Sequence, residues 1–393
     1  MVKCKKVKLS DIATVITGST PKTSVAENYS SNDLNFFKPS DIVDGSIRCL
    51  YSSENFISNY ARSQCRIIPP NSVLVTCIGI IGKIGVTVRE SACNQQINAV
   101  VPNKELCSAN FLAYAISNAK REMNHIANAA VVPIINKSQF SNIQIFLPPL
   151  PQQQQIAAEL DLVCGVMQKQ KQQYKLFDQL IKYKFNQMFG NPITNDKGWE
   201  MKQIGEVVDF IDYRGKTPEK TNKGIPLITA KNVKDNSFSL EPREFVSADT
   251  YDTRMTRGYP RVNDVLFTTE APLGNVCRIP NIFEKFCVGQ RIITMQGKQD
   301  VLVPEYLERE LLTDRFQSDM WKHSSGSTVK GIRSKELVKL FINVPPLALQ
   351  QQFADFVAQV EKSKIKLKTQ ISQTETLYKA LMQKYFGNGG AAA

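Results

Sequence analysis

The chain is poor in the residues from which most catalytic centres are made. Of its 393 residues only two are histidines, His125 and His323. Neither belongs to a recognised motif that pairs a histidine with a serine, cysteine or acid, and lone histidines of this kind are more often structural than catalytic. No Gly-x-x-x-x-Gly-Lys-Ser/Thr loop is present, so ATP hydrolysis by this chain is not supported. The string Gly79-Ile80-Ile81-Gly82-Lys83-Ile84-Gly85 has the wrong spacing for a dinucleotide fingerprint and reads as a strand-turn-strand bend. Each Pro-Pro pair follows Ile68, Leu147 or Val344. The Asn/Asp-Pro-Pro-aromatic motif with which a base methyltransferase holds a flipped base is therefore missing. The acid-x-Lys triplet of a metal nuclease occurs only as Glu200-Met201-Lys202, with no Pro-Asp anywhere. Nine cysteines form no Cys-x-x-Cys pair, which speaks against a zinc site or a disulfide framework. Their odd number, with no signal peptide and no apolar run of bilayer length, leads us to expect a reduced, cytoplasmic chain away from membranes.

What the chain has in excess is positive charge, 49 lysines and arginines against 36 acids, for a net +13. Residues 1–196 hold 20 basic and 13 acidic side chains, residues 197–393 hold 29 and 23. An excess shared this evenly predicts two polyanion-facing surfaces, because cations that displace counterions supply the sequence-independent part of nucleic-acid affinity. Ordinary solubility charge is the alternative.

The two halves also say the same thing 197 residues apart. Gly18-Ser19-Thr20-Pro21 returns as Gly215-Lys216-Thr217-Pro218, Leu147-Pro148-Pro149-Leu150 as Val344-Pro345-Pro346-Leu347, and Met188-Phe189-Gly190-Asn191 as Tyr385-Phe386-Gly387-Asn388. A unit this long is a whole domain with its linker, so the chain reads as a duplicated binding module.

Both linkers carry heptads. After Gln152 the apolar positions run Ile156, Leu160, Val163, Met167, Tyr174, Phe177, Ile181 and Met188, and 197 residues on they run Phe353, Val357, Val360, Leu367, Ile371, Tyr378, Leu381 and Tyr385. Such spacing predicts a coiled-coil seam, about 55 Å long at 1.5 Å per residue, in which the other copy is the nearest partner. Gln170, Lys184, Lys364 and Thr374 interrupt the seam and are expected to fix its register. Each helix opens after a Pro-Pro pair and closes at Gly190 or Gly387, read as left-handed helix ends. Two helices docked separately on their own domains would be the simpler arrangement.

Within each half, short β-rich runs (73–77 and 84–88; 265–269 and 292–295) precede one amphipathic helix (109–124; 304–321), a Ser-started turn and a last strand (143–147; 340–344). The expected class is α+β, with two β-rich domains each followed by a long helix, the helices packing as an antiparallel coiled coil. The expected bounds are 1–150 and 191–347 for the domains, 151–190 and 348–388 for the helices, and 389–393 for an appended tail. Gly-x-Thr-Pro is a turn by its chemistry, flanked by Arg214 and Lys216 in one copy and followed by Lys22 in the other. Residues 36–45 align with 227–236, apolar positions kept and polar ones changed, and Gln95-Gln96 aligns with Gln290-Arg291. Glutamine can bind adenine at two points and arginine guanine, although both side chains could equally cap a strand end.

Gly-x-Thr-Pro turn, β-rich domain, Pro-Pro-Leu and heptad helix ending in Phe-Gly, twice in that order, resemble the specificity subunit of type I restriction-modification systems over nearly the whole chain. The resemblance implies a non-catalytic chain whose two target recognition domains read the halves of a bipartite, asymmetric DNA sequence. It further implies two methyltransferase subunits, which bring S-adenosylmethionine, and restriction subunits that use ATP and Mg. The candidate DNA contacts are Thr20, Lys22, Lys38, Lys83, Gln95 and Gln96 in the first domain and Arg214, Lys216, Lys231, Asn232, Gln290, Arg291, Lys330 and Arg333 in the second. One departure stands out: the acidic residue often found after Pro-Pro-Leu is replaced by Gln152 and Leu349, while Gln153 and Gln350 keep the neighbouring position. A coiled-coil adaptor with basic RNA- or protein-binding domains is the rival reading.

Overall fold

The computed structural model describes residues 5–45, 47–127, 132–215 and 217–387. They form two compact units, one built on residues up to Lys171 with those from Thr369 onward, the other on Gln172–Lys368. The unit boundaries therefore fall inside the two long helices.

The first unit begins with β1 (Lys5–Lys8), a single turn α1 (Leu9–Ile12), β2 (Ala13–Thr17), β3 (Leu34–Phe37), β4 (Arg48–Leu50) and β5 (Phe56–Ile57). It continues with β6 (Val73–Thr76), β7 (Ile84–Thr87), β8 (Ser91–Cys93) and β9 (Ile97–Pro102). Three helices, α2 (Ala109–Asn118), α3 (Lys120–Ala127) and α4 (Lys137–Ser141), then lead to β10 (Gln144–Leu147) and the long helix α5 (Leu150–Phe189). The main sheet has the order β2-β9-β6-β7-β4 and a smaller one the order β5-β3-β8, while β1 pairs with β10. Side chains alternate along β6 as strand geometry requires. Val73 and Val75 enter the core with Phe111, Leu112 and Tyr114 of α2, whereas Leu74 packs with Phe37 and Ile68 on the side of the small sheet. A strand covered on both faces reads as a continuous apolar run, which is why residues 73–76 are all buried.

The second unit repeats this plan. β11 (Glu200–Gln203), α6 (Ile204–Val207), β12 (Val208–Ile211), β13 (Ile225–Ile228), the hairpin β14 (Val233–Lys234) and β15 (Ser237–Phe238), β16 (Phe245–Val246) and α7 (Ala248–Arg254) come first. β17 (Val265–Thr269), β18 (Leu273–Arg278), β19 (Cys287–Val288), β20 (Ile292–Gly297), α8 (Pro304–Leu311) and α9 (Asp314–Lys322) follow. α10 (Ser334–Leu337), β21 (Phe341–Val344) and α11 (Leu347–Phe386) complete it. The sheets are β12-β20-β17-β18 and β16-β13-β19, with β11 on β21. β13 lies parallel to β19 and antiparallel to β16, as β3 does to β8 and β5. Leu266 and Phe267 again face opposite cores.

Two expectations need correction here. The single amphipathic helix of each half is two helices: α2 ends at Asn118 before α3, and α9 is capped at its start by Thr313, whose hydroxyl accepts the Phe316 N–H at 3.3 Å. A capping hydroxyl inside an apolar periodicity ends one helix and starts another. Of the closing glycines, Gly190 has φ +80° but Gly387 is not left-handed.

The long helices pack antiparallel within each unit. In the first, Ile156 and Leu160 of α5 share a core with Tyr378, Leu381 and Tyr385 of α11. Lys171 Nζ lies 2.7 Å from Glu375 Oε1, and the Tyr385 hydroxyl donates to the Glu159 carboxylate. In the second, Lys364 Nζ donates to Asp178 Oδ1 at 2.7 Å and stands 5.0 Å from the Tyr174 ring centre, so this break in the seam is a paired cation. The seam also shifts beyond Ile181. Phe185 and Phe189 are buried against Tyr306 and Phe353, with ring centres 4.8–5.5 Å apart, where the heptad pointed to Lys184 and Met188. Lys184 remains half-buried beside Phe356.

Candidate nucleic-acid interface

Strand register determines which loops meet. In the first unit Thr17 stands opposite Asn98, Ile97 opposite Thr76, and Val75 opposite Ile84. The loop leaving β2, the β8–β9 turn and the β6–β7 turn therefore emerge at one end of the main sheet. The segment before α4 joins them, since Ile78 bridges Ile134 and the Ile135 N–H reaches Cys77 O at 2.9 Å. The second unit has the same end: Ile211 faces Thr294, Thr268 faces Ile292, Glu270 bridges Gly331, and Ile332 N–H donates to Thr269 O at 3.0 Å. In each unit four loops share one edge.

At the first edge the Gly-x-Thr-Pro turn lies directly on the β8–β9 turn. Gly18 and Ser19 donate their N–H groups to Ile97 O and Cys93 O, both at 2.9 Å. A Cβ on Gly18 would sit 2.1 Å from Asn94 O, so glycine is needed for close approach rather than for an unusual φ. The Thr20 hydroxyl donates to Gln95 Oε1 at 2.6 Å, and Gln96 Oε1 accepts from Asn94 Nδ2 at 2.9 Å. Thr20, Gln95 and Gln96 are thus brought together. Lys22 is exposed, its carbonyl held by the Asn28 side chain at 3.0 Å. Lys83 closes the β6–β7 turn and Lys38 follows β3; Lys38 Nζ donates to Asn55 Oδ1 at 2.8 Å, and Lys83 Nζ donates to Pro39 O at 2.9 Å, which joins the two turns. Burial pushes the Cys77 thiol beneath this edge up to about 12, which keeps it protonated and unreactive.

At the second edge a concavity of about 600 Å³ is lined by Arg214, Gln290, Arg291 and Arg333 together with Asp212 and Glu270. Four candidates converge there. Arg214 grips Asp212, Nη2 to Oδ2 at 2.6 Å and Nε to Oδ1 at 2.9 Å, and also donates to the Ser334 hydroxyl at the start of α10. Burial alone would raise the Asp212 carboxyl, but the Arg214 and Ser334 hydrogen bonds hold it below its ordinary value. Arg291 has φ +66°, and its Nε lies 3.1 Å from Glu270 Oε1 with both side chains about half exposed. Lys330 is exposed on the loop before α10, and Lys231 is exposed at 3.7 Å from Glu244. Lys216 lies outside the described residues.

Asn232 is corrected. It is buried, its Oδ1 accepts from the Thr229 N–H and hydroxyl at 2.9 and 3.0 Å, and its Nδ2 donates to Ser239 O and Pro242 O, both at 3.0 Å. With both ends of the amide occupied it fixes a turn, as Asp41 does by accepting the Lys38 N–H at 2.7 Å.

Sequence reading missed three arginines that hold these edges. Arg66 donates Nη1 to Thr17 O at 2.7 Å and its own N–H to the Ser19 hydroxyl at 2.9 Å. In the second unit Arg254 Nη2 reaches Tyr213 O at 2.8 Å and Arg257 Nη1 reaches Asp212 O at 2.9 Å. All three come after the edge strand of the small sheet, β5 or β16, and support the turn after the first strand of the main sheet, a relation that only the fold creates. Each edge thus presents amides, hydroxyls and guanidinium groups on well-fixed loops, the inventory for holding phosphates and distinguishing base edges.

The family model for the type I restriction modification DNA specificity domain matches residues 1–175 and again 196–374. The chain is 20% identical to the specificity subunit of the type I restriction enzyme MjaIX of Methanocaldococcus jannaschii, over 96% of this chain and 91% of that one. It is 30% identical to the HindI specificity subunit of Haemophilus influenzae over 143 residues, 36% of this chain and 31% of that one. Its fold is similar to that of the S subunit of a type I restriction-modification system from M. genitalium, with a TM-score of 0.61 at 14% identity, over 98% of this chain and 96% of that one.

Proposed function

Because the chain belongs to the type I restriction-modification DNA specificity family, a non-catalytic role, we propose that it reads a bipartite, asymmetric duplex and directs methyltransferase and restriction subunits to it. The observation that carries this reading is the loop edge built twice on one topology with different side chains: Thr20, Gln95 and Gln96 on one, Arg214, Gln290, Arg291 and Arg333 on the other. A shared scaffold with unlike polar groups suits two unlike half-sites, because base pairs are distinguished in the major groove by donor and acceptor pattern. Lys22 and Lys330, exposed beside these edges, suit phosphate. Two methyltransferase subunits bring S-adenosylmethionine, and restriction subunits bring ATP and Mg chemistry; this chain supplies position.

The test is methyl transfer from labelled S-adenosylmethionine to duplex DNA in the presence of magnesium. The purified chain alone should transfer nothing, and adding it to its methyltransferase subunits should confer transfer to a sequence those subunits do not modify by themselves. Transfer by this chain alone would overturn the non-catalytic reading.

A further inference from the structure

The two edges differ most informatively at one pair of equivalent positions. In the first unit the Gln96 carbonyl accepts the Cys77 N–H at 2.8 Å; in the second the Arg291 carbonyl accepts the Thr269 N–H at 2.9 Å. The residue after each donor is Ile78 or Glu270, and each is bridged in turn to the loop before the short helix, at Ile134 or Gly331. Ile78 and Gln96 in one unit therefore occupy the places of Glu270 and Arg291 in the other.

We infer that these pairs set the base-pair preference of each half-site, Glu270 and Arg291 selecting a G·C pair and Ile78 and Gln96 an A·T pair. This rests on the DNA-recognition reading above and deepens it. In the major groove guanine offers two acceptors to an arginine fork, and its cytosine offers an amino donor to a carboxylate. Arg291 and Glu270 are such a cation and anion, 3.1 Å apart and half exposed, so each is close to where the other's base partner would lie. An A·T pair instead presents an acceptor and a donor on adenine and a methyl group on thymine. Gln96 matches adenine, its Oε1 accepting from Asn94 and keeping a second lone pair, with Nε2 as donor. Ile78 is part-exposed and Ile134 beside it is exposed, an apolar pair suited to the thymine methyl group.

The experiment is binding selection from a randomised duplex library with the full chain complexed to its methyltransferase subunits. Wild type should enrich a half-site with an invariant G·C pair and another with an invariant A·T pair. Arg291→Gln should reduce discrimination at that G·C pair roughly ten- to hundredfold and leave the other half-site unchanged. Glu270→Gln, which keeps size and fold, should relax the same pair. If Arg291→Gln and Glu270→Gln instead weaken all sequences equally, with preferences intact, the pair meets phosphate and the assignment is overturned. If wild type enriches no sequence, the recognition reading itself fails.

Discussion

Ser108 donates its backbone N–H to Gln153 Oε1 at 3.0 Å, and the second unit repeats the bond from Val303 to Gln350 at 3.1 Å. Each glutamine also donates Nε2 to two carbonyls, Leu106 and Pro148 in one unit and Val301 and Pro345 in the other, at 2.8–2.9 Å. Both are fully buried. The start of each long helix is thereby tied to the segment that enters the helical layer of its own domain. Gln153→Leu or Gln350→Leu should cost about 1–3 kcal/mol for each buried backbone group left without a partner. Thermal unfolding should show the loss, and Gln152→Ala, one residue away, should show little of it.

Lys330 is exposed on the second edge, whereas Lys83 is held by Pro39 O. Lys330→Ala should weaken binding uniformly across sequences and lower the slope of log affinity against log salt by about one. Lys83→Ala should change the slope less. A salt titration of duplex binding by the assembled complex measures both.

The Asp212 carboxylate lies below its ordinary value despite burial because of Arg214 and Ser334. A depressed carboxyl contributes stability that is present above its unfolded value, about 4, and is lost as pH falls through the lower folded value. The turn at Arg214 should therefore be unchanged by Asp212 titration from about pH 8 to pH 5 and loosen only in stronger acid. Chemical shifts of Arg214 and Ser334 followed against pH would report this, and Asp212→Asn should abolish the dependence.

An ion pair joins the long helices in each unit, Lys171 with Glu375 in the first and the seam break Lys364 with Asp178 in the second. Removing one heptad from both long helices together, about 10 Å of helix, should shorten or abolish the tolerated gap between half-sites while leaving each half-site preference intact. Selection for binding to duplexes of varied gap length is the measurement.

Much of this architecture was legible in the chain. Pro-Pro pairs mark where α5 and α11 begin, 4,3 spacing marks most of their seam, and the β-rich run from Val73 marks the strand β6. What escaped depends on tertiary contact. The shift to Phe185 follows from the aromatic cluster with Tyr306 and Phe353. Arg214 is held by Asp212 and by a serine 120 residues away. Asn232 left a local signal, since it and Asp41 each follow a strand end at the spacing of a side-chain-capped turn. The Ile78–Glu270 equivalence was hidden by loop-length changes: the offset between copies is 197 at the ends, 195 from Gln96 to Arg291 and 192 from Ile78 to Glu270.

Whether one chain reads two unlike half-sites is decided by methylome sequencing of a host with and without this chain. One gapped, asymmetric motif should be methylated only when the chain is present. A palindromic or ungapped motif, or an unchanged methylome in a host that carries the methyltransferase subunits, would contradict it.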